Sequence, residues 1–114
     1  MDDKLKLQGI IKALEAVNAK DIKIYEMGNN HIFDYGVVAS AIASRQMDGL
    51  VSKLDEYSSE YQFEIIGVEG RGGNVWLLVD LGFAIVNLFS LEERSHYDLD
   101  KIWSHCDEIS SKIS

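Results

Sequence analysis

The sequence predicts a mixed α/β (α+β) fold, one domain over residues 1–114, with a sheet of about five strands and helices packed on it. Three observations carry this. Apolar residues recur at helical spacing in separated stretches, short β-rich segments lie between them, and Leu81-Gly82 divides two such segments as a tight hairpin.

Leu7, Ile10, Ile11, Leu14 and Val17 make the first stripe, and Asp2 and Asp3 favour its opening turn, so residues 3–19 are expected to be helical. Residues 22–27 alternate as a strand, and Gly28-Asn29-Asn30-His31 is a turn signal. Residues 35–42 are small and apolar throughout, which fits a central strand covered on both faces. Met47, Leu50, Val51, Leu54, Tyr57 and Tyr61 form the second stripe, with Ser44 as its N-cap. Residues 63–68 are expected to be a strand, reached from the previous one by a right-handed crossover and therefore parallel to it. A glycine-rich loop over residues 69–74 leads into strands at 75–80 and 83–89. Ser90-Leu91-Glu92-Glu93 is a capping box that starts a short helix. Leu99, Ile102, Trp103, Cys106, Ile109 and Ile113 read as a final helix capped by Asp98, whose part from residue 104 to 114 is a C-terminal extension.

The hairpin carries the first functional signal. With Leu81-Gly82 as a two-residue turn, Asp80 pairs with Phe83, Leu78 with Ile85 and Trp76 with Asn87. One face is then wholly apolar (Val75, Leu77, Val79, Ala84, Val86, Leu88) and must be core. The other sets Trp76, Leu78 and Asp80 beside Asn87 and the aromatics Phe83 and Phe89. An aromatic ringed by polar groups has the composition of a protein–protein hot spot. Equally, Trp76 is readable as a large core residue whose indole N–H bonds to Asn87.

Charge narrows the partners. Nineteen acidic residues against eleven basic ones give a net charge of -8. Phosphate backbones are bound by Lys and Arg that release counterions, so a direct nucleic-acid site is not expected and a basic protein partner is. One cysteine, Cys106, forms no internal disulfide and fits a reducing compartment. No apolar run follows Met1-Asp2-Asp3 or approaches the ~20 residues of a membrane span, so cytoplasmic localisation without a membrane partner is expected.

Separated motifs give a more specific signal. Trp76-x-x-x-Asp80-x-Gly82, Val86, Phe89, Glu93-Arg94, Tyr97, Leu99-Asp100 and Ile102-Trp103 resemble, in order and spacing, the Iojap-like ribosomal silencing factors. Asp34-Tyr35, Ser44-x-Gln46 around Arg45, and Glu69-Gly70 are similar to upstream pieces of that family, so the resemblance spans about residues 21–103. Membership implies a sheet similar to the nucleotidyltransferase fold without that chemistry. It also implies a translational regulator that binds the large ribosomal subunit through ribosomal protein L-fourteen and sterically blocks joining of the small subunit. A large-subunit assembly factor is the alternative. This chain departs from the family at Asn87, where His is usual, at Phe33 for Thr, at Gly36 for a bulky residue and at Asp100 for Glu.

Rival chemistries find less support. Nucleotidyl transfer needs a Gly-Ser pair and clustered acids for two metals; no Gly-Ser occurs, and Asp98-Leu99-Asp100 is better explained by capping. Gly70-Arg71-Gly72-Gly73 precedes a strand, whereas a phosphate loop precedes a helix, so it reads as a connection with Arg71 at a rim. His105 and Cys106 point apart on a helix and His31 sits in a distant turn, so no metal site is expected, and Cys106 reads as a small core hydrophobe. Arg94 and Tyr97 share a helical face; Arg94 has Glu neighbours to pair with and latches the helix, while Tyr97 extends the Trp76 surface. The expected partner-binding set is therefore Trp76, Leu78, Asp80, Asn87, Arg94 and Tyr97, with no catalytic residue, cofactor or metal. An exposed aromatic face also allows a homodimer when the partner is absent.

Overall fold

Leu7, Ile10 and Leu14 are fully buried along one side of a 13-residue helix, α1 (Lys4–Ala16), in a computed structural model that describes residues 3–28, 31–70 and 75–113. Strand β1 (Lys20–Glu26) follows, then β2 (Tyr35–Ala41), every residue of which is buried. That continuous burial is what the unbroken small, apolar sequence predicts for a strand covered on both faces. Helix α2 (Ser44–Ser58) packs Met47, Leu50 and Leu54 inward beside α1. Its N-cap is Ala43 rather than Ser44. Alanine has no side-chain acceptor for the first turn, and the Gln46 side chain supplies the reciprocal bond, accepting from the Ala43 N–H at 2.6 Å and donating to the Val17 and Asn18 carbonyls at 2.9 Å. One glutamine thus starts α2 and fastens it to the end of α1.

Three strands and four short elements complete the chain: β3 (Gly67–Glu69), β4 (Trp76–Asp80), β5 (Ala84–Ser90), α3 (Leu91–Tyr97), α4 (Leu99–Ile102), β6 (Asp107–Glu108) and α5 (Ser110–Ile113). The sheet has six strands, not five, in the order β3-β4-β5-β2-β1-β6. Its parallel pair is β2–β5; all other pairs are antiparallel. The expectation that the segment after α2 would run parallel to β2 is thereby corrected. Only Gly67–Glu69 of that segment is a strand, and it goes to the edge beside β4, which returns and delivers β5 to the place next to β2.

The hairpin register is also corrected. Trp76 lies opposite Phe89, Leu78 opposite Asn87 and Asp80 opposite Ile85. Leu81 N–H donates to the Ala84 carbonyl, so the turn centres on Gly82-Phe83, one residue later than expected. Gly82 has φ +84°, which glycine enters without penalty, and Asp80 Oδ1 accepts from its N–H at 2.8 Å. Each β5 partner shifts by two, and because side chains alternate with period two the faces are unchanged. Leu77, Val79, Ala84, Val86 and Leu88 are core as expected; Val75 lies outside the strand and is exposed. Phe83 moves to the turn and packs edge-on against Tyr35, with Lys6 Nζ 5.0 Å from its ring centre.

The C-terminus departs most. Instead of one helix, the chain makes the single turn of α4, capped by Asp98 as expected, then β6 against β1, then α5. Ile109 and Ile113 are buried in the main core, so their apolar pattern is satisfied by a different backbone path. The physical reason is the edge of β1: Tyr25 and Glu26 pair with β6, and Ile24 O accepts from Ile109 N–H at 2.8 Å. The turn expected at residues 28–31 and the loop at 69–74, with Arg71, lie partly outside the described residues. No described helix is long and apolar enough to cross a membrane.

Helices α1 and α2 cover one face of the sheet. On the other, Trp103 lies on Gly36 of β2, where an added Cβ would come to 2.7 Å from the indole. Gly36→Ala should therefore displace Trp103 and destabilise the protein by about 1–3 kcal/mol, seen as a lower thermal midpoint and a shifted tryptophan emission.

Candidate functional site

Period-two alternation sends Trp76, Leu78 and Asp80 of β4 and Ile85, Asn87 and Phe89 of β5 to the face away from α1 and α2. Phe89 is buried there with Tyr25 and Val38. The Trp76 indole stacks on Phe89, with centroids 5.5 Å apart and an interplanar angle of 8°. Tyr97, brought over by α3, completes a triangle at 5.4 Å from Trp76 and 5.6 Å from Phe89. Offset stacking of this kind contributes about 0.5–1.5 kcal/mol per pair beyond area burial.

Both readings of Trp76 hold in part. Its Nε1–H donates to Asn87 Oδ1 at 3.1 Å, while the side chain stays only half-buried. Asn87 is 2% exposed and its amide donates onward to the Val37 carbonyl at 3.4 Å. An amide supplies donor and acceptor together, as one neutral imidazole tautomer does. Tyr97, at 52% exposed, is the outermost ring, and Val75 and Leu91 are further exposed apolar residues flanking Trp76 and opening α3. Phe89, the ring that sets the plane of the other two, is absent from the expected set, although strand alternation placed it on this face and the motif includes it. Leu78 is half-buried on this face, and Asp80 spends one carboxylate oxygen on the hairpin turn.

Arg94 is not at the surface. Only 8% exposed, it lies behind the stack, and its partners are not the neighbouring glutamates. Nε and Nη2 donate to the two Asp100 oxygens at 3.1 and 3.3 Å, and Nη1 donates to Ser40 Oγ at 3.0 Å and to the Asp21 carbonyl. Tyr25 O–H donates to Asp100 Oδ1 at 2.6 Å. The Asp100 carboxyl feels burial, which acts to raise it, but hydrogen bonds from Arg94 and Tyr25 outweigh this and hold it below the usual carboxylate range. The Tyr25 hydroxyl is pushed up, by burial first and then by its bond to Asp100. This network ties α3 and α4 to β1 and β2. Among the described residues no buried side-chain polar atom lacks a partner.

The expected separation of His31, His105 and Cys106 is overturned. His31 Nε2 lies 3.3 Å from His105 Nε2, and Cys106 is half-buried beside them instead of in the core. The C-terminal turn that replaces the expected helix brings them together.

The family model described as "Ribosomal silencing factor during starvation" matches residues 2–114. The chain is similar to the ribosomal silencing factor RsfS of Zymomonas mobilis, with 31% identity covering 99% of this chain and 86% of that protein. It is 26% identical to the mouse protein named "Mitochondrial assembly of ribosomal large subunit protein 1", covering 89% of this chain and 46% of that protein. A crystal structure of a Chromobacterium violaceum protein superposes with a TM-score of 0.76 at 29% identity, covering 83% of this chain and 80% of that one.

Removing Arg94 leaves the partly exposed Asp100 carboxylate without its charged partner, so Arg94→Met should cost about 1.5–3 kcal/mol in urea unfolding. The pH dependence has two ends. Asp100's contribution, present above the ordinary carboxylate range, is lost as pH falls through its lowered folded value. Tyr25's contribution is complete below about pH 10 and declines above it. Tyr25→Phe should lose part of that alkaline decline, together with about 1.5–3 kcal/mol near neutral pH, in urea midpoints measured across pH.

Proposed function

The chain belongs to the ribosomal silencing factor family, and from that premise we propose that it binds the large ribosomal subunit through ribosomal protein L-fourteen and sterically blocks joining of the small subunit, lowering translation. The observation that carries the docking assignment is the Trp76–Phe89–Tyr97 stack, whose inner ring is buried and whose outer ring is half exposed. Rigid aromatic surface of this sort loses little conformational entropy on binding and is enriched at interface hot spots. In this reading Trp76, Tyr97 and Leu78 make the contact, with Asp80 at the rim. Asn87 and Arg94 act from behind, holding the indole and α3 in place.

The net charge of -8 supports a basic ribosomal protein as the partner and long-range attraction as the means of encounter. Silencing is then an equilibrium matter: a bound copy occupies the subunit interface in the cytoplasm, and no bond is made or broken. The mouse relative's name favours a second reading, in which the same surface serves assembly of the large subunit. A subunit-joining assay separates them, because an assembly factor leaves mature subunits free to pair.

Co-sedimentation with isolated large subunits tests the surface. Trp76→Ala should weaken binding by about 2 kcal/mol, roughly thirtyfold. Tyr97→Ala, which gives up two ring contacts and is checked for folding by circular dichroism, should also weaken it. Equal pelleting of wild type and both variants would sink the aromatic assignment; failure of the wild type to pellet would sink the ribosomal reading.

A further inference from the structure

His31 lies in the connection between β1 and β2, and His105 and Cys106 lie in the turn that leads into β6. Pairing of β6 with β1 brings these distant parts of the chain to one corner, where one nitrogen or sulfur from each residue falls within 4.8 Å of the others. Zinc bonds nitrogen at about 2.0–2.1 Å and sulfur at about 2.3 Å, so a tetrahedral site has an N···N edge of ~3.3 Å and an N···S edge of ~3.6 Å. Two of the three edges at the corner match, with 3.3 Å between His31 Nε2 and His105 Nε2 and 3.5 Å between His105 Nε2 and Cys106 Sγ; the His31–Cys106 edge lies within 4.8 Å.

Two further features favour a cation. His105 Nδ1 lies 3.1 Å from the Ile102 carbonyl oxygen, which can only accept, so Nδ1 carries the proton and Nε2 presents its lone pair to His31 Nε2, whose place a cation would take. This is how a metal-binding imidazole is usually oriented by its other nitrogen. The same three residues line a cavity of about 240 Å³ together with Glu26 and Asp107. Those two carboxylates are partners across the β1–β6 ladder, where like charges face each other at a cost that a bound cation offsets.

We propose that His31, His105 and Cys106 form a zinc site that fastens the C-terminal turn to the segment following β1. Its fourth position is open to water or to a carboxylate of the cavity. Imidazole and thiolate together suit zinc better than the hard cations, which take oxygen ligands. On binding, the Cys106 thiol releases its proton to solvent as the zinc–sulfur bond forms. The site is independent of the docking surface and uses none of its residues.

The test is a Co²⁺ titration of the full-length, reduced, chelator-treated protein, followed by displacement with Zn²⁺. Wild type should give tetrahedral cobalt bands with a thiolate charge-transfer absorption, at one equivalent, that Zn²⁺ abolishes. Cys106→Ser should lose the charge-transfer absorption, and His31→Asn and His105→Asn should weaken binding by about tenfold or more. His96→Asn, at the remaining and exposed histidine, should bind as wild type does; circular dichroism confirms that each variant is folded. Wild type without the charge-transfer absorption, or His31→Asn binding as tightly as wild type, would overturn the proposal.

Discussion

A guanidinium out of water must have its donors satisfied, and in this protein that demand is met at Arg94 by three other stretches of chain. Asp21 at the start of β1, Ser40 near the end of β2 and Asp100 in α4 all bond to it, while Arg94 itself belongs to α3. The short helices α3 and α4 are too brief to hold a position by their own hydrogen bonds. Their placement over the sheet therefore depends on this buried charge, on Asp100 as its bidentate partner and on Tyr25 behind Asp100. The short Asp100 side chain suits that geometry, since both its oxygens reach the guanidinium.

The sheet divides labour between its faces. One is sealed by α1 and α2 around Leu7, Ile10, Leu14, Leu50 and Leu54, all without exposed surface. The other is covered only in part, and its stability comes from aromatic contacts: Trp76 on Phe89, and Trp103 edge-on to Tyr25 at 5.8 Å. Gly36 belongs to this arrangement. A larger residue at that position would occupy the space into which the Trp103 indole settles. An incompletely covered aromatic face is costly for an isolated chain and useful for one that docks.

The two candidate sites stand on different physical footing. The docking face is apolar area held rigid by a polar network beneath it, so its strength is set by shape and burial. The His31–His105–Cys106 corner is a small group of lone pairs beside opposed carboxylates, so its strength is set by charge and geometry. Each would respond to a different change in the surroundings, the first to a partner and the second to a free cation.

Much was legible in the sequence by itself. Period-two alternation in residues 75–89 identified the core face of the hairpin and the polar company of Trp76, and it survived a turn centred one residue later because the partners moved by two. The capping residues Ser90 and Asp98 were readable because their signal is local. The separated motifs gave the family. Tertiary structure decided what depends on distant segments competing for the same edge or the same partner. The open edge of β1 drew residues 107–108 out of a helical pattern, because unpaired strand groups need partners more than a short amphipathic stripe needs a helix. That choice alone brought His31 to His105. Arg94, with glutamates adjacent in sequence, found Asp100 and Ser40 instead, since burial selects partners by position in space and not along the chain.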